Sequence, residues 1–367
     1  MASNPFVYSH PVAPEQLINR QAEAEQLLAL AEGGHHTRLS APRRYGKTSL
    51  LGKVRVDAEA VGMLPVYVNF YGILSADDAT QRIERGYRGL RGPLSAWVTG
   101  VLRTLRPTIT PPGTGLNLEP TLESDGLAAL LDLPVRLFKR TGQRALVIYD
   151  EFQAVLEARP SLDGLMRSVI EQQTDEASYV FAGSHPGMMR TLFEDRERPF
   201  YGQARPVPLT PLLDEALADY VATRFADTGK QVDEALGPLL DFADGHPQRA
   251  MLIAHYLWER TPVGESADET TFSAAIEAVH DAIADQLTSL WGGFDDSERR
   301  VVAAVAANPA GPLRKETLEP LGLARTTARD ALARLEHAGH VVRDGEDARF
   351  TDPLFGRWAA GGRQGLL

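Results

Sequence analysis

The stretch Leu39-Ser40-Ala41-Pro42-Arg43-Arg44-Tyr45-Gly46-Lys47-Thr48-Ser49-Leu50 constrains this chain more than any other. It reads as a phosphate-binding loop, whose pattern is G-x-x-x-x-G-K-[ST]. Ala41 stands where the first Gly is expected, and Gly46, Lys47 and Thr48 fill the rest. An apolar residue precedes the loop and Leu50-Leu51 follow it, so the local order is strand, loop, helix. A loop running into a helix N-terminus points unpaired N–H groups at a polyphosphate, and the helix dipole adds to the attraction. In that setting Gly46 lets the backbone approach closely. Lys47 reaches the β- and γ-phosphates, and Thr48 offers its hydroxyl to Mg2+. Pro42, Arg43, Arg44, Tyr45 and Ser49 complete the expected nucleotide contact. Ala41 is the smallest departure from Gly and matters only if its position needs positive φ.

The second landmark is Arg144-Ala145-Leu146-Val147-Ile148-Tyr149-Asp150-Glu151. A continuous apolar run is what a strand buried on both faces of a parallel sheet looks like. It ends in two carboxylates. In a phosphate-loop protein the Asp at the end of such a strand holds Mg2+, and a Glu after it polarises the attacking water. Asp150 is therefore the expected metal residue alongside Thr48, and Glu151 the expected general base.

The remaining chain is consistent with interleaved strands and helices. Helical spacing runs over Leu17–Leu28, strands over Thr37–Ser40 and Leu64–Tyr71, and a helix over Thr48–Glu59. Glu84–Leu105 reads as a helix interrupted near Gly92-Pro93, and Arg106–Asp125, dense in Pro and Gly, as a surface excursion. Ser124–Arg140 reads as helix with a kink at Pro134. Ser178–Ser184 is a further strand, and Arg205–Leu209 the last of the core. Ser184 is placed to meet the γ-phosphate or the attacking water; the competing reading is a cap on the helix that follows. The order of elements predicts an α/β parallel-sheet core, in which ligands bind at the carboxyl ends of the strands. Leu212–Thr261 is helical, and Asp244–Ala250 opens a helix with Pro247 at its start. From that lid Arg249 is the residue expected to reach the phosphates.

The C-terminal segment reads as a winged helix-turn-helix. A helix begins at Asp296, with Ser297 or Asp296 as its expected cap, and further helices cover Leu313–Leu321 and Ala324–Ala338. Val341–Arg343 and Ala348–Thr351 flank an Asp344-Gly345 hairpin turn, with Trp358 expected against the wing. Residues 297–367 hold eleven Arg/Lys and nine Asp/Glu, whereas the whole chain carries a net charge of −11. This mild basic bias fits DNA binding and equally a protein-contact module. Disulfides and thiolate metal sites are excluded, because the chain has no cysteine. No signal-like start and no membrane-length apolar run occur, so a cytoplasmic protein with no membrane partner is expected.

Taken together, the motifs resemble the archaeal-type ATPases of the AAA+/STAND class. The resemblance rests on Asn4-Pro5-Phe6, Leu17-Ile18-Asn19-Arg20, Pro42 to Leu50 and Asp150-Glu151-Phe152-Gln153. It continues through Gly183-Ser184, Pro199-Phe200-Tyr201-Gly202 and Gly245-His246-Pro247. It implies a phosphate-loop ATPase core over 1–209, a helical lid over 210–290 and a winged helix over 291–367. ATP and Mg2+ are the implied cofactors, with Arg20 and Pro247 added to the nucleotide contacts and Ser184 as a sensor. Gln203 stands where the family often has Arg. This leaves Arg190, Arg196, Arg198 and Arg205 as unranked candidates for a finger acting between subunits of an oligomer. Two functions follow as expectations: an ATP-hydrolysing switch, or a nucleotide-responsive DNA-binding regulator with little turnover. A guanine-specific enzyme is disfavoured, since no N-K-x-D sequence occurs.

Overall fold

The computed structural model describes residues 3–105, 121–159, 161–362 and 365–366. The chain forms two compact units. One comprises Arg20–Ala41 and Lys47–Leu209; the other comprises Met1–Asn19, Pro42–Gly46 and Thr210–Leu367.

The first unit is built on five parallel strands: β1 (Thr37–Ser40), β2 (Leu64–Asn69), β3 (Ala145–Asp150), β4 (Ala177–Gly183) and β5 (Arg205–Pro208). Their order across the sheet is β2-β3-β4-β1-β5. Every residue of β3 and β4 is buried, which is why both read as unbroken apolar runs. β5 carries Pro206 and Pro208, and it lies at the edge, where a missing N–H breaks no ladder. The register sets Ser40 beside Gly183 and Asn69 beside Asp150. The segments leaving β1, β3 and β4 therefore emerge at one edge of the sheet.

The helix Lys47–Ala60 buries Leu50, Leu51, Val54 and Ala58 along one face. The expected interruption near Gly92-Pro93 separates two helices, Ala76–Arg88 and Pro93–Leu105. The first begins earlier than the apolar pattern suggested because Ser75 caps it, accepting from the Asp78 N–H at 3.1 Å. The expected helix 124–140 is also two, Thr121–Leu131 and Leu133–Thr141. Pro134 lies in the first turn of the second, where its missing N–H costs nothing, and so does not kink a continuous helix. Of the surface excursion expected at 106–125, residues 106–120 lie outside the described residues.

In the other unit the lid consists of helices Asp214–Asp227, Asp233–Ala243, Pro247–Arg260 and Glu269–Gly292. Phe6 is buried there, its ring centroid 5.4 Å from that of Phe225. The winged helix follows in the same unit: helices Asp296–Ala307 and Arg325–His337, antiparallel β6 (Val341–Asp344) and β7 (Asp347–Phe350), then helix Pro353–Ala360. The first of these helices begins at Asp296 as expected, but its cap is Asp295 rather than Asp296 or Ser297. Asp295 and Glu298 form a reciprocal capping box that Asp296 and Ser297 could not make at this spacing. Trp358 packs on Trp291 and Phe355, and Phe355 in turn meets Phe350 of the wing.

Each unit holds a histidine that folding keeps neutral, His36 half-buried and His246 buried. His36 is pushed down to about 4, by burial first and then by Arg167, Arg144 and His35. His246 is also pushed down to about 4, by burial first, with Asp352 opposing and Arg249 reinforcing. Below the ordinary value of 6.5 the unfolded chain takes up a proton that the folded one refuses. Stability is thus complete above that pH and declines as pH falls toward 4. From pH 7 to 5 each unit is expected to lose about 2 kcal/mol this way. Urea unfolding at the two pH values should show that loss, and His36→Asn and His246→Asn should each flatten the slope of its own unit. A pH slope that neither substitution changes would contradict this account.

Candidate functional site

The loop leaves β1 at Ala41, which is buried and whose N–H donates to the Gly183 carbonyl at 3.3 Å. Ala41 is not among the positive-φ residues, so its Cβ is tolerated there. Arg44 (φ 67°) and Gly46 (φ 83°) instead supply the left-handed turns. A Cβ on Gly46 would meet no atom within 4 Å, so the demand for glycine is conformational rather than steric. Lys47 and Ser49 are buried at the start of the helix, whereas Arg43 and Thr48 are exposed.

At the end of β3, Asp150 is 1 % exposed and shared among three donors. Tyr67 Oη donates to Oδ2 at 2.7 Å, Thr48 Oγ1 lies 3.4 Å from the same oxygen, and the Glu151 N–H reaches Oδ1 at 3.0 Å. Burial raises the Asp150 carboxyl above its ordinary value, with Lys47 and Tyr67 opposing. Glu151 sits in the left-handed region at φ 54°. That turns its side chain out of the strand's alternation, and Ser184 Oγ and Gln153 Nε2 both donate to its Oε2, at 2.5 and 2.6 Å. Lys47 Nζ is 3.9 Å from its Oε1. Burial works against the Glu151 charge, but Lys47, Ser184, Gln153 and His185 together outweigh it and hold the carboxyl below its ordinary value. His185, not Ser184, occupies the cap position of the helix Pro186–Glu194, which leaves the Ser184 hydroxyl to the carboxylate.

Lys47, Thr48, Asp150, Glu151 and Ser184 are thus brought together at one edge of the sheet. The donor set fits Mg2+. Thr48 and Asp150 place a hydroxyl and a carboxylate oxygen side by side, and this ion usually takes one or two carboxylates plus phosphate oxygens and water. No group of three or more His, Cys, Asp or Glu that could hold a metal by itself occurs among the described residues. Arg20 is buried at the start of the helix Gln21–Glu32, where its Nη1 donates to Glu23 at 2.7 Å.

Within the other unit, the loop residues Arg44 and Tyr45 meet the lid. Arg44 Nη1 is 3.2 Å from Gln286 Oε1, and the Tyr45 ring lies edge-on to His246 at 4.8 Å. Pro247 occupies the first turn of its helix, and His246 caps it by accepting from the Arg249 N–H at 3.3 Å. Arg249 is 1 % exposed and its guanidinium is held by Asp352: Nε donates to Oδ1 at 3.0 Å, and Nη2 to Oδ2.

Three of these residues escaped sequence reasoning. Tyr67 looked like one more aromatic of a strand. Gln153 belonged to a matched segment, and only the turn at Glu151 brings its amide back onto the carboxylate. Asp352 lies beside Pro353 at the end of the chain's wing, with nothing in its neighbourhood to connect it to Arg249, 103 residues away. Of the four arginines considered for a finger, Arg198 lies 3.5 Å from Asp163.

No protein-family model matches the sequence, and no curated protein does. Solved structures do. The Walker-type ATPase of Pyrococcus abyssi matches with a TM-score of 0.72 at 15 % identity, covering 96 % of this chain and 99 % of that one. The ORC2 protein of Aeropyrum pernix, solved as ADPNP–ADP complexes, matches with a TM-score of 0.61 at 18 % identity, covering 98 % and 96 %. Its ADP form gives 0.53 at 16 % identity over 95 % and 93 %. No helix among the described residues is long and apolar enough to cross a membrane. The five parallel strands and these near-full-length matches together give the chain the fold of those structures, a parallel-sheet α/β P-loop NTPase core with a helical lid and a C-terminal winged helix.

Proposed function

We propose that the chain binds ATP with Mg2+ and hydrolyses it, and that nucleotide state sets the position of its lid and winged helix. The observation that carries this reading is the gathering of Lys47, Thr48, Asp150, Glu151 and Ser184 at the carboxyl ends of β1, β3 and β4. The ORC2 protein of similar fold was solved with ADPNP and ADP, which supports a nucleotide in the same fold.

In this reading Arg43 to Ser49 cradle the phosphates with backbone N–H groups, Pro42 shapes the start of the loop without donating, and Lys47 compensates the charge. Thr48 and Asp150 hold Mg2+, which supplies charge neutralisation between the phosphates when bound. Glu151 accepts the proton of the attacking water, and Ser184 and Gln153 fix which carboxylate oxygen faces it. Arg20 shapes the surroundings of the nucleotide. We take 1–209, 210–290 and 291–367 as the working parts, with the segment around Phe6 seated on the lid.

Lys47→Ala tests the reading most simply. It removes an ammonium that is 6 % exposed and faces Glu151. Losing a charge-assisted contact of this kind is expected to weaken ATP binding about 10- to 100-fold. Equilibrium titration with ATP measures it, and equal affinity of the two proteins would overturn the proposal.

A further inference from the structure

Asp150 is held at both of its oxygens by donors of the sheet-containing unit. The Glu151 N–H reaches Oδ1 at 3.0 Å. Two hydroxyls meet Oδ2: Thr48 Oγ1 at 3.4 Å and Tyr67 Oη at 2.7 Å. Tyr67 makes the shorter contact. Unlike Thr48, it is not one of the groups expected to face Mg2+.

The strand register brings the tyrosine there. β2 pairs in parallel with β3, which sets Tyr67 beside Ile148 and Asn69 beside Asp150. Side chains two residues apart on a strand point to the same face, so Tyr67 and Asn69 share one with Ile148 and Asp150. Asn69 lies directly beside the carboxylate, and its side-chain oxygen accepts from the Tyr71 N–H at 2.7 Å. Tyr67 starts two residues further back, about 7 Å along the strand, a gap that a tyrosine side chain spans. Arg55 braces its ring from the helix Lys47–Ala60, with the guanidinium carbon 5.2 Å from the ring centroid. The helix that begins with Lys47 and Thr48 thus also fixes the phenol that holds Asp150.

Mg2+ demands near-ideal octahedral geometry, so a carboxylate free to rotate serves it poorly. Carboxylates at metal sites are oriented by hydrogen bonds from groups that do not themselves touch the ion. We propose that Tyr67 is a positioning residue for Mg2+: its hydroxyl, donating to Asp150 Oδ2, fixes the rotation of the carboxylate that faces the ion beside Thr48. The proposal rests on the nucleotide reading given above and adds to it a residue outside the phosphate loop and the acidic pair.

Tyr67→Phe removes one hydroxyl and keeps the ring against Arg55. Asp150 retains its Thr48 and Glu151 donors, so the variant is expected to fold, which thermal unfolding checks. Mn2+ is the probe in place of Mg2+, because EPR measures its free form, and ADP is the nucleotide, because it is not consumed. In saturating ADP the variant should bind Mn2+ about 10-fold more weakly than wild type. Its affinity for ADP in EDTA should be unchanged, because no metal is then present for Asp150 to meet. A merely structural role would not produce this split. Equal Mn2+ affinity of the two proteins would overturn the proposal. Tighter Mn2+ binding would overturn it too, since the phenol would then be competing with the ion. Equal losses for Mn2+ and for ADP in EDTA, or a variant that unfolds, would reduce Tyr67 to a structural role. Wild-type protein that binds ADP without Mn2+, or neither, would instead sink the nucleotide reading, and this proposal with it.

Discussion

Glu151→Gln is expected to slow phosphate release from ATP by about 100- to 10,000-fold, the range that removal of a positioned general base produces. The replacement is nearly isosteric, and its amide oxygen can still accept from Ser184. What it cannot do is take a proton. The wild-type carboxylate is placed for that task by three groups: Ser184 and Gln153 on Oε2, and Lys47 3.9 Å from Oε1. ATP binding should persist or tighten, because neutralising Glu151 frees Lys47 for the phosphates. The two measurements separate the roles: a single-turnover assay reads the chemical step, and a titration reads affinity. A rate that survives the substitution unchanged would remove Glu151 from catalysis. A parallel loss of binding would show that the change acted on the loop instead.

Phe152→Ala should have the largest effect on stability, destabilising the sheet-containing unit by about 3–5 kcal/mol. Phe152 follows Glu151 directly and has no exposed surface. Its ring lies 4.6 Å from Phe181, 5.3 Å from Phe200 and 5.9 Å from Tyr149, at the centre of the aromatic part of the core. Truncation would leave a cavity that rigid neighbours cannot fill. It would also release the short turn Phe152–Ala154 that keeps Glu151 at positive φ, so the hydrolysis rate should fall even where the variant remains folded. Val56→Ala is the control. Val56 is 56 % exposed on the loop helix and should change stability by no more than about 0.5 kcal/mol. Urea unfolding of both variants provides the comparison, and similar midpoints for the two would refute the assignment of Phe152 to the core.

The sequence by itself determined the parts whose physics is local or periodic. The phosphate loop is written in consecutive residues, because a helix N-terminus and its lysine must come from one short segment. β3 announced itself as a run of apolar residues because both of its faces are covered. The winged helix was legible through helical spacing, an Asp-Gly turn and paired short strands. Local signals also set the limits of that legibility. The helix start after Ser75 and the capping role of Asp295 were misjudged because a cap is fixed by backbone geometry rather than by apolar spacing. Tertiary structure alone decided what the functional side chains touch. The parallel register brings Ser184 to Glu151, the left-handed backbone at Glu151 brings Gln153 to the same oxygen, and Tyr67 reaches Asp150 across neighbouring strands. The pairing of Arg249 with Asp352 spans 103 residues. No local pattern encodes such a contact, because it exists only once separately folded helices have been packed on a shared core.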